Sequence, residues 1–399
     1  MSIHWADAAE WLRALLCRSE AKAGRDVAAF EQAFRDYLGC SFARATHSGR
    51  DAMVLALRVV GVRPGDEVIV PAYTLGELLA VLQGEGYTLV PADVEPDTFN
   101  IDVGNVERHI GPKTRAVLAL HLHGAPCNIE AICDVAKRNN LLVVEDCAHA
   151  LGASVAGHNV GTFGDAAFFS LESNKAVPTY GGGVLVVKNP QQAEQAAAVL
   201  DLRERKPWPV LRKALRYWLE EAVIRSPLYA PVARVVFSAR VRSRFERFYR
   251  RSHGELRREL TAYSAFQARL GLKALARLPG RNERLNAQWS RLAEQLPPGF
   301  VAQKRNCVGE PAFYNFVALS ERIAPAELRR RLLRKGVDIG IGSEVMDDCG
   351  RLLGAEDCPV AARVFEQAVI LPLYEGLTER RFRRVVRGLR LVAEAEGRP

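Results

Sequence analysis

Four residues capable of joint chemistry stand near two apolar runs: Asp146, His149, Ser170 and Lys175. One run, 141–144, ends in Glu145-Asp146, and a second, 166–169, leads into Ser170 and then Lys175. Short apolar runs that end in polar residues read as strands of a parallel sheet covered on both faces. Ligands of open α/β sheets sit at the carboxyl ends of the strands, where these four side chains would gather. A lysine amine can form a Schiff base with an aldehyde cofactor, and an aspartate can keep a pyridine nitrogen protonated so that the ring accepts electrons. A hydroxyl near the lysine can hold the cofactor phosphate. The spacing alone fits equally an edge aspartate and a solvated lysine on an ordinary α/β sheet.

The wider stretch is more specific. EDCAHALGA, then GTFGDAAFFSLESNK, then a glycine cluster resembles the DegT/DnrJ/StrS family of pyridoxal-phosphate sugar aminotransferases. That family carries E-D-x-A-[QH]-x-x-G-A, then G-D-x-x-x-F-S, with the Schiff-base lysine five residues after the serine, as Lys175 follows Ser170. The resemblance covers about 27–202 and 262–393. It implies an α/β fold-type I transferase, with a large domain built on a mostly parallel seven-stranded sheet between helices and a smaller C-terminal α+β domain. The expected division is 1–202 for the large domain, 203–252 for a basic helical insertion and 253–399 for the small domain with its connecting helix.

Residue by residue, the resemblance implies pyridoxal 5'-phosphate on Lys175, Asp146 at the ring nitrogen, and His149 against the ring or its phenolic oxygen. Ser48, Gly49, Arg50 and Ser170 would hold the phosphate. Gly49 opens a helical pattern (Met53, Leu57, Val60), and a helix N-terminus favours an anion. The family's threonine after the glycine is Arg50 here, whose guanidinium could pair with phosphate directly. Where the family has an aromatic that stacks on the ring, this chain has Leu75, with Tyr73 two residues earlier. His121 matches a family histidine, and His123 stands where a tyrosine is usual. Both, with Tyr73 and Glu172, are candidates for substrate contact.

Several departures qualify the match. The G-E-G-G run after the lysine is Tyr180-Gly181-Gly182-Gly183, and Glu172 places an unusual acid near the Schiff base. The partner-subunit Asn and Arg of G-Y-N-x-R are missing at 258–262, so Arg50, or an arginine at 257–258, would substitute. Lys175 disfavours the family's dehydratase branch, which has histidine there.

The expected activity is transfer of an amino group from an amino acid, glutamate, to a keto-sugar linked to a nucleotide or lipid, by a homodimer. The competing expectation is a divergent non-catalytic member that binds cofactor or sugar as a regulatory or scaffold subunit. The lost residues motivate it, and the intact Asp146–His149–Ser170–Lys175 set argues against it.

Composition narrows the context. With 48% hydrophobic residues the 399-residue chain can bury a large core. The eight cysteines show no C-x-x-C spacing and read as reduced thiols in a cytoplasmic protein. The N-terminus lacks a basic n-region and does not read as a signal peptide, and no apolar run is long enough to span a membrane. The net charge of +9 comes from 203–252, which holds 14 Lys/Arg against four Asp/Glu, so nucleic acid is not an expected partner. Within that segment Val210, Leu211, Ala214, Leu215, Trp218, Leu219, Ala222 and Val223 share one helical face, with Arg212, Lys213, Arg216, Tyr217, Glu220 and Glu221 opposite. The segment reads as an arm packing its apolar face on the protein, as a peripheral anchor to the inner face of the cytoplasmic membrane, or as a binder of a diphosphate-bearing substrate.

Overall fold

A computed structural model describes residues 20–201, 210–213, 215–217, 219, 261–304, 309–344 and 346–396. The expectation of a membrane contact through 203–252 falls mostly outside them. No helix among the described residues is long and apolar enough to cross a membrane.

The first half of the chain supplies β1 (Ala43–Thr46), β2 (Glu67–Pro71), β3 (Tyr73–Thr74), β4 (Thr88–Ala92), β5 (Thr114–Leu120), β6 (Leu142–Asp146), β7 (Ser154–Val155), β8 (His158–Asn159), β9 (Ala166–Ser170) and β10 (Gly183–Val187). Seven of these form one sheet in the order β1-β10-β9-β6-β5-β2-β4. Only β10 runs against its neighbours, so the architecture is α/β with a mostly parallel sheet.

Side chains alternate across a strand, and here each parity enters its own apolar layer. Ala116, Leu118, Leu120, Val144, Ala166 and Phe168 pack on one face with Ala52, Met53 and Leu57 of the Gly49–Val59 helix. Val117, Ala119, Val143, Ala167 and Phe169 pack on the other, against Phe30 and Phe34 of the Glu20–Leu38 helix. The stripe Val27, Phe30, Phe34 and Leu38 is buried, as its 3.6-residue spacing requires.

The second half supplies β11 (Phe300–Ala302), β12 (Gly309–Glu310), β13 (Phe316–Ser320), β14 (Gly340–Ile341), β15 (Asp347–Asp348) and β16 (Ala368–Leu371). An antiparallel sheet, β11-β13-β16-β14, carries its own core of Phe316, Ala318, Leu332, Val369 and Leu389. The Ala265–Ala293 helix joins the two layers systems. A capping box between Ser264 and Gln267 starts it. Its early residues Ala268, Leu275 and Leu278 belong to the large core, and Trp289 and Leu292 belong to the small one. Two further pairings, β12 with β7 and β15 with β3, tie the C-terminal half to the N-terminal half.

The described residues of the basic segment pack through members of both faces. Leu211 is 6% exposed, whereas Leu215 and Leu219 of the same apolar face are 51% and 52% exposed. Tyr217, assigned by periodicity to the polar face, lies 6.2 Å from the Tyr180 ring. Leu211 packs with Tyr180, Phe266 and Leu270, and Val210 and Tyr217 pack against that cluster.

The two halves approach closely at Gly124. Its φ is +93°, and a Cβ there would stand 2.2 Å from the Ala312 carbonyl oxygen. Gly124→Ala is expected to cost about 3 kcal/mol in urea unfolding, from left-handed strain plus this clash. Gly39→Ala, at φ +77° with nothing within 4 Å of the added methyl, should cost only about 1 kcal/mol. Equal costs would mean that the two halves do not meet here.

Candidate functional site

The parity of three neighbouring strands builds the site floor. Leu120 pairs with Asp146, and Asp146 with Phe168, in one row across β5, β6 and β9. All three side chains face the same way, and Ser170, two residues beyond Phe168, continues that face. They line a cavity of about 280 Å³ at the carboxyl edge of the sheet, with Ser48, Gly49, Arg50, Leu75, His149, Glu172 and Lys175 around it.

The Gly49–Val59 helix opens on this cavity. Ser48 caps it, its hydroxyl accepting from the Asp51 N–H at 3.2 Å. Gly49 permits the approach: a Cβ there would lie 2.9 Å from the Ser170 Cβ. Ser48 also bridges to Gly182 of the glycine cluster. The hydroxyls of Ser48 and Ser170 and the helix start therefore converge. The Arg50 guanidinium lies at the same end, 3.8 Å from the Glu77 carboxylate and 37% exposed.

Asp146 and Lys175 both line the cavity. Burial pushes the Asp146 carboxyl up to about 6, opposed by the Ala148 N–H, which donates to it at 2.9 Å, and by Lys175. Burial pushes the Lys175 amine down to about 8, opposed by the carboxylates of Asp146 and Glu172. Burial would raise Glu172 too, but the Lys213 ammonium, donating at 2.6 Å, and the Ser173 N–H, at 2.9 Å, hold it below the usual carboxylate range.

The histidines divide by face. His121 borders the cavity, but both ring nitrogens are engaged in the fold. The Cys127 N–H donates to Nδ1 at 3.2 Å, so Nε2 carries the proton and donates to Glu145 at 3.1 Å. This pairing also accounts for the buried His121–Glu145–Cys147 cluster without a metal ion. His123 is buried, and neither ring nitrogen has a partner among the described residues. Burial and then Lys175 push it down to about 3, so its ring is neutral. His149 is also held well below its ordinary value by burial. Of the two candidates for covering a cofactor ring, Leu75 lines the cavity, and Tyr73 is packed in the core with Phe99 and Leu122.

Sequence reasoning missed Tyr314. Its ring stacks on His149 at 4.6 Å and 13°, and Lys175 Nζ lies 4.8 Å from its centroid. The Tyr314 N–H donates to the His123 carbonyl at 3.0 Å, beside the tight Gly124–Ala312 approach. The one available signal was a polar-tipped aromatic between Phe313 and Phe316, both fully buried. The positions at 257–258 lie outside the described residues, and Thr261 donates to or accepts from His47 Nδ1 at 2.7 Å.

These residues fit a pyridoxal phosphate. A buried acid at the sheet edge, an amine with a depressed pKa and a glycine-cradled helix start are the donor set such a group requires. The volume lies just below the roughly 300–1,000 Å³ of small-molecule sites.

Comparison with known proteins gives a consistent result. The sequence profile of the DegT/DnrJ/EryC1/StrS aminotransferase family matches residues 5–212. The GDP-perosamine synthase of Caulobacter vibrioides is 42% identical over 166 residues, 42% of this chain and 45% of that protein. A pleiotropic regulatory protein of Geobacillus stearothermophilus is 37% identical over 182 residues, 46% of this chain and 47% of that protein. The chain thus spans about half the length of the curated relatives it matches. The solved structure of S. venezuelae DesV in complex with a ketimine intermediate superposes with a TM-score of 0.75 at 26% identity, over 99% of this chain and 95% of that one.

The depressed amine has a stability consequence. Between about 8 and its ordinary 10.5, Lys175 holds fewer protons in the folded chain than in the unfolded one. Its cost is present in full below pH 8 and is relieved as pH rises through this window. Urea unfolding of the ligand-free protein should show wild type gaining stability relative to Lys175→Met between pH 8 and 10.5. A constant difference across that range would show that the amine titrates normally.

Proposed function

This chain belongs to the DegT/DnrJ/EryC1/StrS aminotransferase family, and from that premise we propose that it binds pyridoxal 5'-phosphate and transfers an amino group from an amino acid, glutamate, to a keto-sugar. The observation that carries this reading is the convergence of the Lys175 amine and the Asp146 carboxylate on one cavity beside a helix start. When bound, pyridoxal 5'-phosphate supplies an aldehyde that an amine can capture and a ring that accepts an electron pair. Lys175 suits the first role, because its lowered pKa leaves about a tenth of the amine unprotonated at pH 7. The same Nζ is suited to take and return a proton once it is free. Asp146, charged at pH 7, would hold a proton on a ring nitrogen. Ser48, Gly49, Arg50 and Ser170 would bind the phosphate, and His149 and Leu75 would flank the ring.

The name of the Caulobacter relative supports a nucleotide-linked amino sugar as the product class. Family membership supports a homodimer. A second reading, a regulatory role without catalysis, draws support from the name of the Geobacillus relative. The buried, charge-shifted Lys175–Asp146 pair favours catalysis, since a scaffold has no use for a desolvated amine.

Absorbance spectra with pyridoxal 5'-phosphate, followed by glutamate and then keto-sugars, test the proposal. Lys175→Ala should abolish the visible band, the borohydride-trapped adduct and all transamination while the fold remains. Asp146→Asn should retain the cofactor and lower turnover on the order of a thousandfold. Trapping on another lysine, or full turnover in Asp146→Asn, would overturn the assignments.

A further inference from the structure

Glu172 is the second carboxylate at the lysine, and its geometry ties a distant part of the chain to the site. It lies in the cavity lining between Ser170 and Lys175. One oxygen accepts the Ser173 N–H at 2.9 Å, and the other accepts Lys213 Nζ at 2.6 Å. Lys213 comes from the basic segment and is brought there by apolar packing: Leu211 is buried against Tyr180, Phe266 and Leu270. It passes beside Gly181, where a Cβ would stand 3.6 Å from Lys213 Nζ. The ion pair is one-third exposed on both sides, too exposed to hold the segment on by itself. Its consequence is electrostatic and local.

We propose that Lys213 is a positioning residue for Lys175: by engaging Glu172 it weakens that carboxylate's hold on the amine, so docking of the stretch that carries Lys213 sets how much of the lysine is available as a nucleophile. The inference rests on the reading of Lys175 as the reactive lysine.

Among the described residues, the groups facing Lys175 are few. Asp146 approaches from β6 and favours the ammonium. His149, from the segment after β6, and His123, from the turn after β5, are both neutral. The Tyr314 ring lies 4.8 Å away, and burial raises its hydroxyl so that it stays protonated. Glu172, from the lysine's own loop, is the remaining charge, and it also favours the ammonium. Asp146 is needed as an anion at the cavity floor. Glu172 is the carboxylate whose influence another residue can cancel. An opposite charge close to an amine raises its pKa by roughly one to three units, and a cation bonded to that charge removes much of the effect.

The test uses full-length protein freed of bound carbonyl compounds. Its lysines are labelled with trinitrobenzenesulfonate across a pH series, and modification of Lys175 is followed by mass spectrometry. Lys213→Met should move the Lys175 midpoint to higher pH and slow its labelling about tenfold at pH 7. Lys213→Arg should restore the wild-type midpoint. Glu172→Gln should move the midpoint to lower pH, and adding Lys213→Met to it should produce no further change. An unchanged midpoint in Lys213→Met, or an equal shift in the Glu172→Gln background, would overturn the proposal and leave Lys213 a packing residue only. A looser segment would raise labelling at every pH without moving the midpoint, which also counts against it. Borohydride trapping at a lysine other than Lys175 would refute the functional reading while leaving these curves interpretable.

Discussion

Much of the site depends on one buried carboxylate that takes no part in the cavity. Glu145 is fully buried on the face of β6 opposite Asp146. It accepts the N–H groups of Gly161, Phe163 and Gly164 at 2.7 to 2.9 Å and the Nε2–H of His121 at 3.1 Å. Hydrogen bonds to a charged group contribute about 1.5–3 kcal/mol each, and an unsatisfied buried charge would be far costlier. This arrangement fixes the end of β6, the approach to β9 and the turn after β5 together. Asp146 and Ser170 are held at their mutual distance because Glu145, one residue away and facing backwards, ties their strands to a common loop.

Above that floor, charge is held under tension. Desolvation draws both Asp146 and Lys175 toward their neutral forms, to about 6 and about 8, while their mutual attraction resists. At neutral pH the pair is mostly ionised, yet a usable fraction of free amine exists. Neutral His149 and His123 add no positive charge beside the amine. Near-parallel stacking of His123, His149 and Tyr314, at 5.8 and 4.6 Å, forms an aromatic wall on one side of the lysine.

The C-terminal half completes that wall. The Ala265–Ala293 helix carries side chains into both cores, so the small antiparallel sheet is not free to drift from the large one. The pairing of β12 with β7 and the contact at Gly124 then set the 312–314 stretch beside the β5 turn. A residue late in the chain, Tyr314, reaches the lysine by this route.

The periodicities determined a large part of this in advance. The apolar runs 141–144 and 166–169 place the polar residues at their ends, Asp146 and Ser170, at one sheet edge, and the five-residue step from Ser170 brings Lys175 to the same edge. The apolar stripe from Val27 to Leu38 specifies the covering helix. These are local properties, because strand and helix periods are set by backbone geometry that each segment carries with it. Tertiary structure decided what lies between segments. It tied His121 to Glu145, excluded Tyr73 from the cavity and brought in Tyr314. It also turned Lys213 and Tyr217 inward while leaving Leu215 and Leu219 exposed. No pattern along one segment encodes such outcomes, since each depends on which partner atoms a distant part of the chain presents and on whether a buried polar group finds a donor there.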